Sequence, residues 1–113
     1  MGYMRHHVIV VGGYNTDDVH AAHEAAVFHC GALVSPIVAS HLNGYTSFFV
    51  APDGSKEGWP ESEQGDVSRA ALKSVLRGWP AKGRYIDWVE VAYPGDSLPL
   101  AMITDETFQE DQR

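Results

Sequence analysis

The residues best equipped for chemistry lie in one loop, Asp53-Gly54-Ser55-Lys56-Glu57-Gly58-Trp59. Its glycines let backbone N–H groups approach a ligand closely. Ser55 offers a hydroxyl, Lys56 a compact positive charge and Trp59 a flat stacking surface. A ring beside a cation is a general device for holding a base with its phosphate. Arg69, in the early turns of the helix that follows, and His7, at the start of the first strand, can join them. Lys56 and Arg69 would meet phosphates, Trp59 would stack, and Asp53 and Ser55 would fix polar groups. The plainer role is an Asp-Gly turn with Trp59 packed into the core beneath it.

Other constellations are weaker. Six histidines suggest a metal, and His20 and His23 stand three apart on a helix, followed by Glu24. Such pairs bind metal when facing helices add carboxylates. His6, His7, His29 and Cys30 could meet at one end of the fold, but no tight ligand spacing accompanies them. No metal or cofactor is therefore assigned. Cys30 falls on an apolar helix stripe, where a thiol behaves as a small hydrophobe. There is no Gly-x-Ser-x-Gly elbow and no Walker loop. Gly12-Gly13 resembles a phosphate-binding turn, but Asp17 and Asp18 at the next helix start would repel phosphate. No catalytic residue is assigned.

These residues need elements to position them. His7–Gly12 is a β-branched apolar run, a buried strand. Asn15-Thr16-Asp17-Asp18 opens a helix, with a capping side chain and acids in the first turn. Val19, Ala22, Ala26, Val27, Cys30 and Leu33 form its stripe. Val34–His41 is a second strand, which Pro36 places near an edge or at a strand start. Asn43-Gly44 is a hairpin turn, and Tyr45–Ala51 is the third strand. A helix runs from Ser62 or Asp66 to Arg77, with Arg69, Lys73 and Arg77 at i, i+4 and i+8. Tyr85–Tyr93 is a fourth strand, Pro94-Gly95-Asp96 a turn and Leu98–Ile103 a short last strand. The order β-α-β-β-α-β predicts an α+β, ferredoxin-like two-layer plait with an added C-terminal strand. That topology gathers His6, His7, His29, Cys30 and the 52–62 loop at one end.

The chain has 113 residues, enough for one domain, expected over 1–104 with an acidic, frayed tail at 105–113. Net charge is −7, and residues 1–104 still carry seven bases against eleven acids. That balance argues against a nucleic-acid binder. Arg69, Lys73, Arg77, Lys82 and Arg84 nevertheless form a local basic run, either a solvated helix face or an anion site. One cysteine fits a reducing compartment, and no stretch reads as a secretory signal or a membrane span. The strands are apolar on both faces: Phe48 and Val50 oppose Tyr45 and Phe49, and Val89, Val91 and Tyr93 oppose Ile86 and Trp88. Two helices cover one face, so the other predicts a homo-oligomer.

His6 through Val11, Ser35-Pro36-Ile37, Asn43-Gly44-Tyr45, Ala51 through Trp59 (APDGSKEGW), Gly65-Asp66, Arg69 and Asp87 through Val91 resemble a pattern. It is that of a group of small bacteriophage-encoded proteins of unassigned function. The group often carries a basic residue where this chain has Thr46. The resemblance implies a phage accessory protein acting in the host bacterial cytoplasm, with antagonism of a host defence as its expected role. The expected function is sequestration of a small nucleotide-like anion without catalysis. The alternative is an interaction module that inhibits a host protein through its acidic surface or its aromatic sheet face. An enzyme using the histidines is the third possibility.

Overall fold

The structure, a computed structural model, describes residues 5–94 and 102–106. We label the elements β1 (Arg5–Gly13), α1 (Thr16–Cys30), β2 (Val38–Ala39), β3 (Thr46–Val50), α2 (Pro60–Gly78), β4 (Asp87–Pro94) and β5 (Met102–Glu106). The fold is α+β: one five-stranded sheet, every neighbouring pair antiparallel, in the order β2-β3-β1-β4-β5. Strands β1 and β2 run the same way, with β3 between them. Both helices pack on the face carrying Ile9, Val11, Phe48, Val50 and Trp88, and these side chains form the core with Val19, Ala22, Leu72 and Leu76. No helix among the described residues is long and apolar enough to cross a membrane.

Local chemistry explains the boundaries. Asn15 caps α1, its side chain accepting from the Asp18 N–H at 3.1 Å. Asn43 and Gly44 both have positive φ (63° and 68°), as a type I′ turn requires, and the Tyr45 N–H closes it on the Leu42 carbonyl. Helix α2 begins earlier than expected, because Pro60 occupies its first position, where no N–H is needed.

The second strand is shorter than the sequence predicts. Val34 makes an isolated bridge to Val50, and ladder pairing resumes only at Val38. Pro36 interrupts it by lacking a donor. Ser35 fills the gap: its N–H donates to the Phe49 carbonyl and its Oγ accepts from the Phe49 N–H. At the C-terminus, Asp105 and Glu106 belong to β5 and not to a frayed tail, because Asp105 is ion-paired to Lys73 and Arg77 on α2. The turn expected at Pro94–Asp96, most of the run expected from Leu98 and the tail beyond Glu106 lie outside the described residues.

The side-chain alternation is as the strand pattern requires. The helix-free face carries Val10, Phe49 and Tyr93, exposed by 43%, 45% and 37%, where an alternating strand would place polar residues.

Candidate functional site

A cleft of about 270 Å³ opens where the end of α1, the loop after β3 and the first turns of α2 converge. Its polar lining is His29, Cys30, Asp53, Gln64, Ser68 and Arg69, with Glu61 at the start of α2 and Val50 and Leu33 as apolar wall.

Asp53 is built into this cleft by its own loop. Its Oδ1 accepts from the Ser55 N–H at 2.9 Å and from the Ser55 hydroxyl at 2.7 Å. The Asx turn so formed closes over Gly54, whose φ of 81° suits a residue without a Cβ. Burial alone would raise the Asp53 pKa. The two Ser55 bonds, with the charges of Arg69 and His7, outweigh it and hold the carboxyl below its ordinary range. The second oxygen, Oδ2, lies against Gly65, in space that a side chain there would occupy.

Arg69 follows one turn later on α2 and is buried. Its guanidinium is ion-paired to Asp66, and Nε stands 3.5 Å from Glu90 Oε2 on β4. Its charge is therefore balanced before any ligand arrives. His7 sits behind this group, with Nε2 at 3.6 Å from Glu57 Oε2. Burial lowers the His7 pKa, and Arg69 lowers it further, against the opposing pull of Glu90, Glu57 and Asp66. Despite the nearby carboxylate, the balance favours the neutral imidazole.

The six residues singled out from the sequence thus divide. Asp53 and Arg69 line the cleft, Ser55 is consumed in fixing Asp53, and His7 lies within the electrostatic reach of both charges. Lys56 and Trp59 form a separate pair, with Nζ at 6.0 Å from the ring centroid. Neither lines the cleft, and Trp59 is exposed rather than packed beneath the loop.

The basic stripe is not a free anion site. Lys73 Nζ bonds Glu90 Oε1 at 2.9 Å and Asp105 Oδ2 at 3.1 Å. Arg77 pairs with Asp105 and lies over the Trp88 ring. Glu90 also accepts from the Thr104 hydroxyl at 2.9 Å. Two strand carboxylates therefore neutralise most of a stripe whose own stretch of sequence holds no acid between Asp66 and Asp87.

The histidines are dispersed. His6 and His7 point to opposite faces of β1, one stacking on Tyr93 and the other approaching Glu57. His23 packs edge-on against Phe48, and its Nε2–H donates to the Ser35 carbonyl, while His20 is exposed. No three His, Cys, Asp or Glu side chains among the described residues converge in a metal-binding group. Cys30 borders the cleft, but burial pushes its pKa up, so the thiol stays protonated.

Sequence reasoning missed Gln64, Ser68 and Glu90. The first two stand at i and i+4 on the helix face that also carries Glu61 and Arg69, a spacing legible once α2 is extended to Pro60. Glu90 is an acid at an inward position between Trp88 and Ala92, which marks a buried partner. In chemical terms the cleft offers one fixed acceptor, Asp53, and an exposed one, Glu61, beside the donors Gln64, Ser68 and Arg69. A bare anion would meet two carboxylates there. A ligand with both donors and acceptors matches better. Compared with known proteins, the chain matches no family model, no curated protein and no solved structure.

Proposed function

We propose that this protein binds a small nucleotide-like molecule in the cleft between α1, the 51–59 loop and α2, and holds it without turnover. The observation that carries the reading is Asp53: a carboxylate immobilised by two Ser55 bonds and kept ionised beside Gln64, Ser68 and Arg69. A fixed acceptor flanked by donors suits the hydrogen-bonding edge of a base. Asp53 thus accepts from the ligand's N–H groups, and Lys56 and Trp59 supply a charge and a stacking surface in the adjoining loop. Sequestration rather than catalysis is supported by the protonated Cys30 thiol and by a His7 already facing Glu57. The resemblance to phage-encoded proteins supports an accessory role during infection.

The ferredoxin-like reading of the fold belongs to this proposal. It is supported by two interleaved strand–helix–strand units, β1-α1-β2 and β3-α2-β4, with β5 added beside β4.

Native mass spectrometry of protein purified from infected cells, compared with denatured protein, tests the reading. A retained mass matching a mononucleotide or dinucleotide is expected, and its loss in Asp53→Asn. Thermal shifts with AMP, GMP and a cyclic dinucleotide provide the second arm. Ligand-free protein together with no shift from any of the three overturns the proposal.

A further inference from the structure

The helix-free face of the sheet has a composition that water does not explain. At its centre are Val8, Val10, Phe49, Val89 and Val91, brought side by side by the register Val8↔Val91, Val10↔Val89 and Val10↔Phe49. Ile103 on β5 and Val38 on β2 extend it to both edges, exposed by 61% and 60%. No Lys or Arg among the described strand residues points to this face. A solvated face of an antiparallel sheet should alternate with polar side chains, and a contiguous apolar face marks an interaction surface.

We propose that the face is covered by a second copy of this chain, in an isologous dimer with the two sheets packed against one another. Size, charge and self-complementarity favour that occupant. Five strands about 4.8 Å apart, averaging about six residues, present roughly 500 Å² per copy, and about 1,000 Å² for the pair. Specific interfaces begin at about 1,000 Å². The chain carries −7 overall, yet Val8, Val10, Phe49, Val89 and Val91 bring no charge to the centre of this face, and the register leaves Glu106, across from Val89, on the edge strand β5, so two copies meet at the centre without opposing like charges.

The ends of the face are complementary to each other. His6 lies at the end where β1 pairs with Tyr93, and Asp87 at the opposite end, across from Gly12. A two-fold axis running across the strands, between the sheets, sets the His6 end of one copy over the Asp87 end of the other. The same contact then occurs twice, as an isologous interface requires. An imidazole facing a carboxylate fixes the register that the valines alone leave free. This inference is independent of the cleft, which lies on the helix side of the sheet.

Light scattering after size exclusion, at micromolar and submillimolar protein, tests it. The dimer has twice the 12.4 kDa of the chain. Val10→Glu places two carboxylates in the dry centre and should leave monomer with an unchanged circular dichroism spectrum. His6→Asp should weaken the dimer roughly tenfold, equivalent to ~1.4 kcal/mol, and Asp87→Lys added to it should restore association. Wild-type protein that stays at 12.4 kDa at both concentrations overturns the proposal, whatever other partner then takes the face. So does a Val10→Glu protein that is folded and still dimeric. A His6→Asp defect that Asp87→Lys does not repair overturns the two-fold register.

Discussion

Asp53 and Gly65 are fitted to each other: the carboxylate, tied to Ser55 through Oδ1, rests its other oxygen on the bare Cα of a mid-helix glycine. A glycine inside a helix is ordinarily about 1 kcal/mol worse than alanine. Its presence in α2 has a packing reason in the loop opposite.

Two glycines of α2 should therefore answer oppositely to alanine. At Gly78 an added methyl meets nothing within 4 Å, so Gly78→Ala should stabilise the protein by roughly 0.5 kcal/mol. At Gly65 the methyl displaces the Asp53 carboxylate and breaks the Ser55 bonds. Gly65→Ala should gain nothing or lose about 1 kcal/mol, and should lose any nucleotide-induced thermal shift. Urea denaturation of the two variants makes the comparison. A stabilised Gly65→Ala with intact binding would contradict the fit.

Glu90 is the hub of the charges between α2 and the sheet. It is buried and faces Arg69, Lys73 and the Thr104 hydroxyl. Removing one member of a buried ion pair strands the others, at a cost of roughly 3 kcal/mol. Glu90→Gln should show a loss of that order in urea. Replacement of Glu90 and Lys73 together by Leu and Met should recover a large part of it, because the stranded Lys73 charge is then gone while Arg69 keeps Asp66 and Asp105 keeps Arg77.

Asp105 stands in a wetter place, against Lys73 and the partly exposed Arg77. Surface-type pairs contribute less, about 1 kcal/mol or below. Asp105→Asn should thus lower global stability little. Its effect should be local, with faster amide hydrogen exchange in β5 while β1 remains protected. Uniform loss of protection through β1 would show that β5 is integral to the core.

Acid should destabilise the protein in two stages. The His7 pKa is held below its ordinary 6.5, so the unfolded chain binds the proton more readily than the native one. Its contribution is complete above pH 6.5 and is lost as pH falls through the window beneath that value. Asp53 and Asp105, also depressed, contribute fully above their ordinary 3.8 and lose that contribution as pH falls further. Urea midpoints measured against pH should fall in both ranges, and His7→Gln should flatten the upper one. A midpoint that rises between pH 7 and pH 5 would contradict this assignment.

Much of the fold was legible because it rests on near neighbours in the chain. Asn15 caps its own helix, Asn43-Gly44 makes its own turn, and Asp53 and Ser55 lie two residues apart. Strand alternation with a period of two separated Phe48 from Phe49 and Trp88 from Val89 without any knowledge of the sheet order. The expected plait topology placed Cys30 at the loop's end of the fold, and Arg69 followed the loop in the early turns of α2. The loop itself declared its polar residues, though not which of them face a cleft.

The charge partners could not be read that way. Lys73 finds Glu90 seventeen residues on, Arg77 finds Asp105 twenty-eight on, and the Asp18 carboxylate accepts from the Tyr85 N–H across sixty-seven. A Coulomb interaction depends on distance through space, and that distance is set by which strands lie side by side. The sequence alone therefore determined the elements, their apolar faces and the loop that carries Asp53. Only the tertiary structure decided that the basic stripe is neutralised from β4 and β5, that Lys56 and Trp59 stand apart from the cleft, and that Arg69 enters it with its charge already balanced.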